Sequence, residues 1–139
     1  MKKADNLHRA LAKGIDFLIV GTLCTIPSFV GIVAGAMYIL ISDGFFRGQS
    51  VGKKLIGLRV VVTQGEPKRC SFQDSMIRNL PYGVAIFLGS FPFGWFLFFT
   101  VGLFVVAVEA YFVYADDQGV RLGDIFADTQ VIDEATTQA

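Results

Sequence analysis

Two long uncharged stretches dominate the chain, and a short break divides each of them. No Asp, Glu, Lys, Arg or His occurs between residues 17 and 42 or between residues 79 and 108. Each stretch is longer than the ~20 apolar residues that cross a hydrocarbon core of ~30 Å. Pro27 lies within the first stretch and Gly89–Pro92 within the second. Since proline disrupts a helix interior, the pattern predicts two helical hairpins, with helices over residues 8–26, 28–46, 71–88 and 92–114.

Shorter patterns occur in the segments between and after the hairpins. Residues 55–63 are rich in β-branched side chains and predict a strand, and residues 64–67 have turn chemistry. We expect the end of an amphipathic stretch within 121–132 to lie near this strand, where the two could pair. Ser71–Asp74 resembles a capping box at the start of the third helix. The polar tail from Asp133 is predicted to be disordered.

Composition and charge indicate a membrane environment. The chain has 139 residues, of which 53% are hydrophobic and 17% are charged, whereas soluble domains average roughly 25% charged residues. The formal net charge is zero, which gives no global field to attract nucleic acid. Basic residues gather before the first helix and within 47–69, while the hairpin tips have none. The positive-inside rule then places both termini in the cytoplasm.

We therefore predict an all-α membrane protein, built as a four-helix transmembrane bundle with a short cytoplasmic β element. It forms a single domain over residues 1–139, with a cytoplasmic loop at 47–70 and a cytoplasmic C-terminal segment at 115–139. The expected location is the cell (inner) membrane, as a multi-pass protein whose first partner is the lipid bilayer. A re-entrant first hairpin is an alternative to two tight spans, because its helices are short. We expect no signal cleavage, since the first apolar run exceeds the roughly 7–15 residues of a signal h-region.

Charged residues also occur inside the predicted helices. Arg9, Lys13 and Asp16 are spaced i, i+4 and i+7, so they share one face of the first helix. Asp16 lies 11 residues from Pro27, and Arg78 lies 11 residues from Gly89. Because these distances place the two charges at similar depth, we expect Asp16 to pair with Arg78.

The remaining charges extend this pairing into a ladder of opposite charges in the cytoplasmic half of the bundle. Asp43 is expected to pair with Arg9 or Arg78, Glu109 with a basic residue near the interface, and Asn79 to add amide hydrogen bonds. A lone charge at the centre of a membrane helix costs roughly 2.5–3.5 kcal/mol, so such residues face the bundle and pair. Two interpretations remain open. The pairs fix the register between helices, or Asp16 is a carboxylate that binds a proton or a cation.

These residues resemble the pattern of the RDD family of small membrane proteins. The resemblance covers roughly residues 8–132 and departs from the family pattern at Gly123, where a histidine is more usual. It implies a membrane domain associated with transport, including cation/proton antiport in some members, whereas other members resemble accessory parts of larger complexes. The matching positions are Arg9, Ala12, Asp16, Asp43, Ser50, Val51, Gly52, Lys53, Gly57, Leu58, Arg59, Val60, Arg78, Asn79, Leu80, Leu122, Asp124, Thr129 and Val131.

The loop after the first hairpin and the C-terminal segment supply a second set of candidate residues. Residues 48–54 hint at a phosphate-binding loop, but the spacing is one residue short and no Ser or Thr follows the lysine. We interpret this loop as a basic segment against anionic lipid headgroups. The candidates of this set are Ser50, Gly52, Lys53, Lys54, Asp124 and Thr129.

No pattern predicts an enzyme, a cofactor or a metal site. His8 is the only histidine, and the two cysteines, Cys24 and Cys70, lack metal-ligand spacing. Gly31 and Gly35 form a small-xxx-small pattern that permits close helix contact. We favour a contact inside the bundle over a contact between copies of the chain.

The sequence supports two main hypotheses for function. The first is a transporter of ions or small solutes by cation/proton exchange, in which Asp16 binds the ion and Arg78 competes for Asp16. Four helices close on a filled core, so transport implies a homo-oligomer or a narrow ion path. The second is a non-catalytic accessory or assembly subunit of a larger membrane complex, with the basic loop as its docking surface. A lipid-headgroup binder is a weaker third hypothesis.

Overall fold

The computed structural model describes residues 4–27, 29–63, 68–116 and 119–134. The predicted turn at 64–67, Ser28 at the predicted start of the second helix and the tail beyond residue 134 lie outside these residues. The described chain is mostly helical and has a small antiparallel sheet. In chain order its elements are α1 (Asn6–Cys24), α2 (Phe29–Ile41), a 3-10 turn (Ser42–Gly44), α3 (Val51–Ile56), β1 (Leu58–Val62), β2 (Lys68–Arg69), α4 (Phe72–Leu88), α5 (Gly94–Ala115), α6 (Leu122–Phe126) and β3 (Thr129–Asp133).

Both predicted breaks separate helices. α1 ends two residues before Ile26, and α2 begins after Pro27. The predicted capping box starts α4, with the Ser71 amide donating to Asp74 (2.8 Å) and the Asp74 amide donating to the Ser71 hydroxyl (3.3 Å). α5 begins at Gly94 rather than at residue 92, because Phe93 adopts the left-handed conformation (φ 65°). α2 lies between α1 and α4, and α4 also packs against α5.

Among the described residues, one helix is long and apolar enough to cross a membrane. This helix is α5, with 22 residues and a mean hydropathy of 2.2 in its most apolar window. Only 6% of that window is buried inside the protein, so the apolar surface of α5 faces outwards. A shorter apolar helix covers Phe29–Gly44. By length and apolarity, this finding covers one of the four predicted spanning helices.

The sheet has the order β2-β1-β3, and both pairings are antiparallel. Val60 of β1 lies opposite Val131 of β3, which confirms the expected proximity of the two segments. The Ala4 amide donates to the Val131 carbonyl (3.3 Å), so the chain just before α1 lies against the same sheet. The prediction that the tail is disordered from Asp133 onwards is wrong for its first two residues. Asp133 belongs to β3, and Glu134 forms an ion pair with Arg59.

The predicted strand over 55–63 begins too early, because Leu55 and Ile56 belong to α3. Ser50 caps this short helix, since its hydroxyl accepts from the Lys53 amide (3.3 Å). Gly57 ends the helix in the left-handed conformation (φ 82°), which glycine adopts without steric penalty. The strand therefore starts only at Leu58, after the chain has reversed.

Gly31 and Gly35 face α1, as the preferred prediction required. A Cβ atom at Gly35 would lie 2.9 Å from the Cys24 sulfur and 3.3 Å from Val20. A Cβ atom at Gly31 would lie 2.7 Å from the Leu23 carbonyl oxygen. Both positions are too close for a larger side chain, so the glycines allow α1 and α2 to pack tightly.

Candidate functional site

Charged side chains from α1, α3, α4, α5, α6 and the 3-10 turn converge at one end of the helices. We call this set the charge cluster. It contains five basic and four acidic side chains and one amide, and most of them are almost fully buried. The members are Arg9, Lys13, Asp16, Asp43, Lys53, Arg78, Asn79, Glu109, Arg121 and Asp124.

Arg78 lies at the centre of the cluster. Its Nη2 atom is 2.5 Å from Asp124 Oδ1, and its Nε atom is 3.5 Å from Asp43 Oδ2. All three side chains are fully buried. The expected pairing of Asp43 is confirmed for Arg78 and not for Arg9, because Arg9 pairs with Asp124 (3.2 Å). The predicted pair between Arg78 and Asp16 is wrong, since both carboxylates that contact Arg78 come from other elements.

Asp43 is also held by Lys53 of α3 and by two further side chains of α4. Lys53 forms an ion pair with Asp43 Oδ1, and Asn79 donates to Asp43 Oδ2 (3.1 Å). The Asp43 amide donates to the Ser75 hydroxyl (3.1 Å). Asn79 thus makes the amide hydrogen bond expected of it. The contact with Lys53 joins α3 to the end of the first hairpin.

A third group of contacts joins α5 to α6. Arg121 Nη1 is 3.2 Å from Glu109 Oε2, and Arg121 Nη2 is 3.2 Å from Asp124 Oδ1. The Tyr82 hydroxyl donates to the same Glu109 oxygen. Glu109 therefore has the basic partner that was expected for it. Burial alone would raise the pKa of Asp124, but Arg121 and Arg78 hold it well below its ordinary value.

Asp16 differs from the other carboxylates in its partners. Its side chain is 1% exposed and accepts from the hydroxyls of Ser50 (2.5 Å) and Tyr38 (3.0 Å) and from the Gly52 amide (3.0 Å). All three donors are neutral. Within the described residues no Lys or Arg side chain forms an ion pair with Asp16.

Comparison with known proteins identifies the family. The model of the RDD family matches residues 10–128, which is most of the chain. The chain belongs to the RDD family. Members of this family are generally membrane-associated, which agrees with the outward-facing apolar surface of α5. No curated protein and no solved structure matches the chain.

In this RDD-family protein the two matched aspartates of the first hairpin, Asp16 and Asp43, have different environments. Asp43 contacts the basic side chains Lys53 and Arg78, whereas Asp16 contacts hydroxyl and amide donors only. Arg9 lies one residue before the matched range and pairs with Asp124. The charged residues of the family pattern therefore lie in one buried cluster, in which Asp124 of the C-terminal segment is the partner of Arg9.

The expected basic loop is only partly a loop in this RDD-family protein. Lys53 is buried against Asp43, with 6% of its surface exposed. Burial lowers the pKa of Lys53, and Asp43 opposes that shift. Lys54 is exposed, with its ammonium 4.0 Å from the centre of the Phe46 ring. The prediction that both lysines face lipid headgroups is wrong for Lys53, because the helix turns that side chain inwards.

Two candidates of the C-terminal segment also differ from expectation. Asp124 lies inside the charge cluster rather than on a surface. Thr129 is buried at the start of β3 and is not a member of the cluster. A Cβ atom at Gly123 would press against the Arg78 carbonyl oxygen. A histidine at this position does not fit between α4 and α6 in this packing. The glycine that stands in place of the usual histidine therefore accompanies the close approach of the two helices.

Four residues of the site were not among the sequence candidates. Lys13 donates to Asn79 Oδ1 (3.0 Å), and its ammonium lies 4.3 Å from the centre of the Tyr82 ring. Arg121, the residue before α6, forms ion pairs with Glu109 and Asp124. The spacing of Lys13, four residues after Arg9 and three before Asp16 on one face of α1, was a usable signal for this residue. The tyrosines Tyr38 and Tyr82 had no signal beyond an aromatic residue in an apolar helix.

The oxygen atoms around Asp16 are the set best suited to a cation. Hard cations prefer carboxylate, hydroxyl and carbonyl oxygens. Asp16, Ser50 and Tyr38 bring a carboxylate and two hydroxyls within hydrogen-bond distance. No group of three or more His, Cys, Asp or Glu side chains suited to a metal ion occurs within the part of the chain that the structure describes.

Proposed function

We propose that this chain is a multi-pass protein of the cell membrane that exchanges cations for protons, with Asp16 as the binding group. The supporting observation is the difference between Asp16 and the other buried carboxylates. Asp43, Glu109 and Asp124 each have at least one basic partner, whereas Asp16 has neutral donors only. Its negative charge is therefore the one that a proton or a cation can neutralise.

The surroundings of Asp16 define what exchange requires. Ser50 and Gly52, at the start of α3, contact the carboxylate and cover it. Because Asp16 is 1% exposed, an ion reaches it only when the start of α3 moves away from α1. The earlier hypothesis that Arg78 competes for Asp16 is replaced, since Arg78 is engaged by Asp43 and Asp124. Arg78 then has a structural role, and the proposal assigns no covalent chemistry to the cluster.

Ion flux in reconstituted vesicles tests the role of Asp16. The protein would be placed in liposomes that contain a pH-sensitive dye, and a pulse of NaCl or KCl would be added outside. We expect a rapid change of internal pH with the wild type and at least a tenfold slower change with Asp16→Asn. Asp5→Asn is the matched control, because Asp5 is exposed. Exchange by Asp16→Asn at the wild-type rate, or no exchange by the folded wild type, would refute the proposal.

The proposed topology has four membrane crossings, α1, α2, α4 and α5, with both termini in the cytoplasm. It is supported by the two helical hairpins and by the basic residues outside their tips. Single cysteines at Thr25 and Phe93, in a variant lacking Cys24 and Cys70, would test it with a membrane-impermeant thiol reagent. Both positions are exposed at hairpin tips. Labelling from the cytoplasmic side would contradict the topology.

The second candidate function is that of an accessory subunit of a membrane complex. Exposed apolar side chains on the two short helices favour it: Leu55 on α3 is 70% exposed, and Phe126 on α6 is 69% exposed. Lys53 cannot contribute to such a docking surface, because it is buried. Purification from native membranes with Leu55→Ser and Phe126→Ser should then lose a partner that the wild type retains. Unchanged co-purification would exclude these side chains as the docking surface.

A further inference from the structure

A gap runs between α1 and α5 along most of their length. α1 packs against α2 and α3, while α5 packs against α4 and α6. One part of the gap is an apolar groove of about 660 Å³, and the other is a pocket of about 300 Å³. Tyr82 and Val106 line both parts. The groove and the pocket are therefore neighbours along one continuous gap.

The two parts of the gap differ in chemistry. The groove lies between residues 17–24 of α1 and residues 95–106 of α5, and aromatic side chains such as Trp95 and Phe98 line it. The pocket lies between residues 6–13 and residues 109–114. The gap is thus apolar at one end and charged at the other. A molecule that fits both parts has an apolar tail and a polar head.

The pocket carries an excess of positive charge. The side chains of Arg9, Lys13, Lys53 and Arg121 line it, and Glu109 is the one carboxylate among its lining residues. Arg121 and the Tyr82 hydroxyl already contact Glu109.

The positive charge of Lys13 is available to a ligand in the pocket. Its ammonium contacts the Asn79 amide oxygen and the faces of two aromatic rings rather than a carboxylate. The charge cluster holds five basic side chains and the four carboxylates Asp16, Asp43, Glu109 and Asp124, so one positive charge is in excess among its members. An anion in the pocket would therefore reduce this excess.

We propose that the gap between α1 and α5 binds an anionic phospholipid. Its phosphate lies in the pocket near Lys13, Arg9 and Arg121, and an acyl chain lies in the groove. Basic side chains recognise phosphate oxygens by charge-assisted hydrogen bonds, and basic pockets between membrane helices bind lipid head groups. This inference rests on the proposed membrane embedding but not on ion exchange at Asp16.

Native mass spectrometry of the detergent-purified protein tests the proposal. Phosphatidylglycerol and phosphatidylcholine with identical acyl chains would be added in equal amounts. We expect the monomer to retain phosphatidylglycerol at least fivefold more than phosphatidylcholine. Equal retention would overturn the proposal. A dimer that retains neither lipid would also overturn it, because a second copy would then cover the gap.

Two pairs of variants locate the lipid. Lys13→Gln should lose most of the preference for phosphatidylglycerol, whereas Lys54→Gln, which removes an exposed lysine outside the pocket, should keep it. Gly102→Trp should fill the groove and reduce retention of phosphatidylglycerol severalfold. Its control is Gly14→Trp, because Gly14 is also helical and also has open space around it, but does not line the groove.

The second pair keeps the test decisive if Lys13→Gln fails to fold. Wild-type retention of phosphatidylglycerol by Gly102→Trp would overturn the proposal. Ion flux with Asp16→Asn is measured separately, so a failure of lipid binding and a failure of exchange are distinguishable.

Discussion

Asp124 is the residue on which most of the buried positive charge depends. Its carboxylate contacts the guanidinium groups of Arg9, Arg78 and Arg121, at 3.2, 2.5 and 3.2 Å. It is also fully buried. Removing one partner from a buried ion pair leaves an uncompensated charge, which is more destabilising than the pair itself is stabilising. At this position, loss of one carboxylate affects three guanidinium groups at once.

Replacing this carboxylate should therefore destabilise the protein strongly. We expect Asp124→Asn to lower the free energy of unfolding by about 3–5 kcal/mol, the range found when a buried pair loses one partner. Denaturant unfolding in detergent micelles would measure the change. The control is Asp5→Asn, an exposed change for which we expect less than about 0.5 kcal/mol. Equal effects of the two variants would contradict the central role of Asp124.

The same carboxylate predicts a dependence of stability on pH. The pKa of Asp124 is lower in the folded protein than its ordinary value of 3.8, because Arg121 and Arg78 oppose the effect of burial. The unfolded chain therefore binds a proton more readily, and stability falls as the pH falls. We expect the difference in stability between wild type and Asp124→Asn to be constant from about pH 7 to pH 5. It should shrink progressively below about pH 4. A difference that does not change with pH would count against an ionised Asp124.

At the scale of elements, two short helices press against the backbone of two long ones. A Cβ atom at Gly52 of α3 would meet the Ala12 carbonyl oxygen of α1, and a Cβ atom at Gly123 of α6 would meet the Arg78 carbonyl oxygen of α4. The first contact places Ser50 beside Asp16. The second places Asp124 beside Arg78. Each glycine therefore positions partners of the charge cluster, and Gly52 also donates its amide to Asp16.

Adding a methyl group at either glycine should separate these elements. We expect Gly52→Ala and Gly123→Ala each to destabilise the protein by about 1–3 kcal/mol, the usual cost of overpacking. Thermal unfolding would measure it. Gly14→Ala provides the matched control, since a Cβ atom there meets nothing within 4 Å and alanine favours the helix. The interpretation fails if all three variants have the same stability.

The sequence predicted the hairpins and the sheet because their signals are local. Pro27 and Gly89–Pro92 interrupt the helices however the helices pack against one another. A run of β-branched residues favours a strand whichever segment it pairs with. The start of the predicted strand was wrong because the cap at Ser50 and the left-handed Gly57 form a helix of only six residues. Apolar periodicity does not reveal so short an element.

The partners within the charge cluster were harder to predict. Counting residues from the hairpin tips gave similar depths for Asp16 and Arg78, but depth does not say which face of a helix a side chain occupies. The true partner, Asp124, lies on a short helix after the last hairpin. Its position depends on how α6 packs against α4, and this packing leaves no signal in spacing. Spacing therefore predicted a cluster of charges and the pair of Asp43 with Arg78, but not the partners of Asp16 and Arg9.

For the whole molecule, the sheet joins segments that are far apart in the chain. β1 follows the first hairpin, β2 precedes the second, and β3 follows it. The Ala4 amide adds the segment before α1 through its contact with the Val131 carbonyl. The proposed topology places all these segments on one side of the membrane, and pairing in one sheet is consistent with that placement.

A disulfide across β1 and β3 would test this arrangement. Val61 lies opposite Gln130, and opposite positions in antiparallel strands have Cβ atoms about 4.5–5.5 Å apart. We expect Val61→Cys with Gln130→Cys to cross-link on mild oxidation, in a variant that lacks Cys24 and Cys70. Val61→Cys with Asp133→Cys should not, because Asp133 lies opposite Leu58. Mobility on a non-reducing gel would distinguish them, and equal cross-linking would contradict the register.

The position of Asp124 after α5 has a consequence for biosynthesis. A ribosome makes Arg9 and Arg78 well before it makes the carboxylate that contacts both of them. In the proposed topology, both arginines enter the insertion machinery without this partner, while Asp43, which also contacts Arg78, has already been made. A nascent chain arrested before α6 would therefore lack the ion pair of Arg9 and one of the two ion pairs of Arg78.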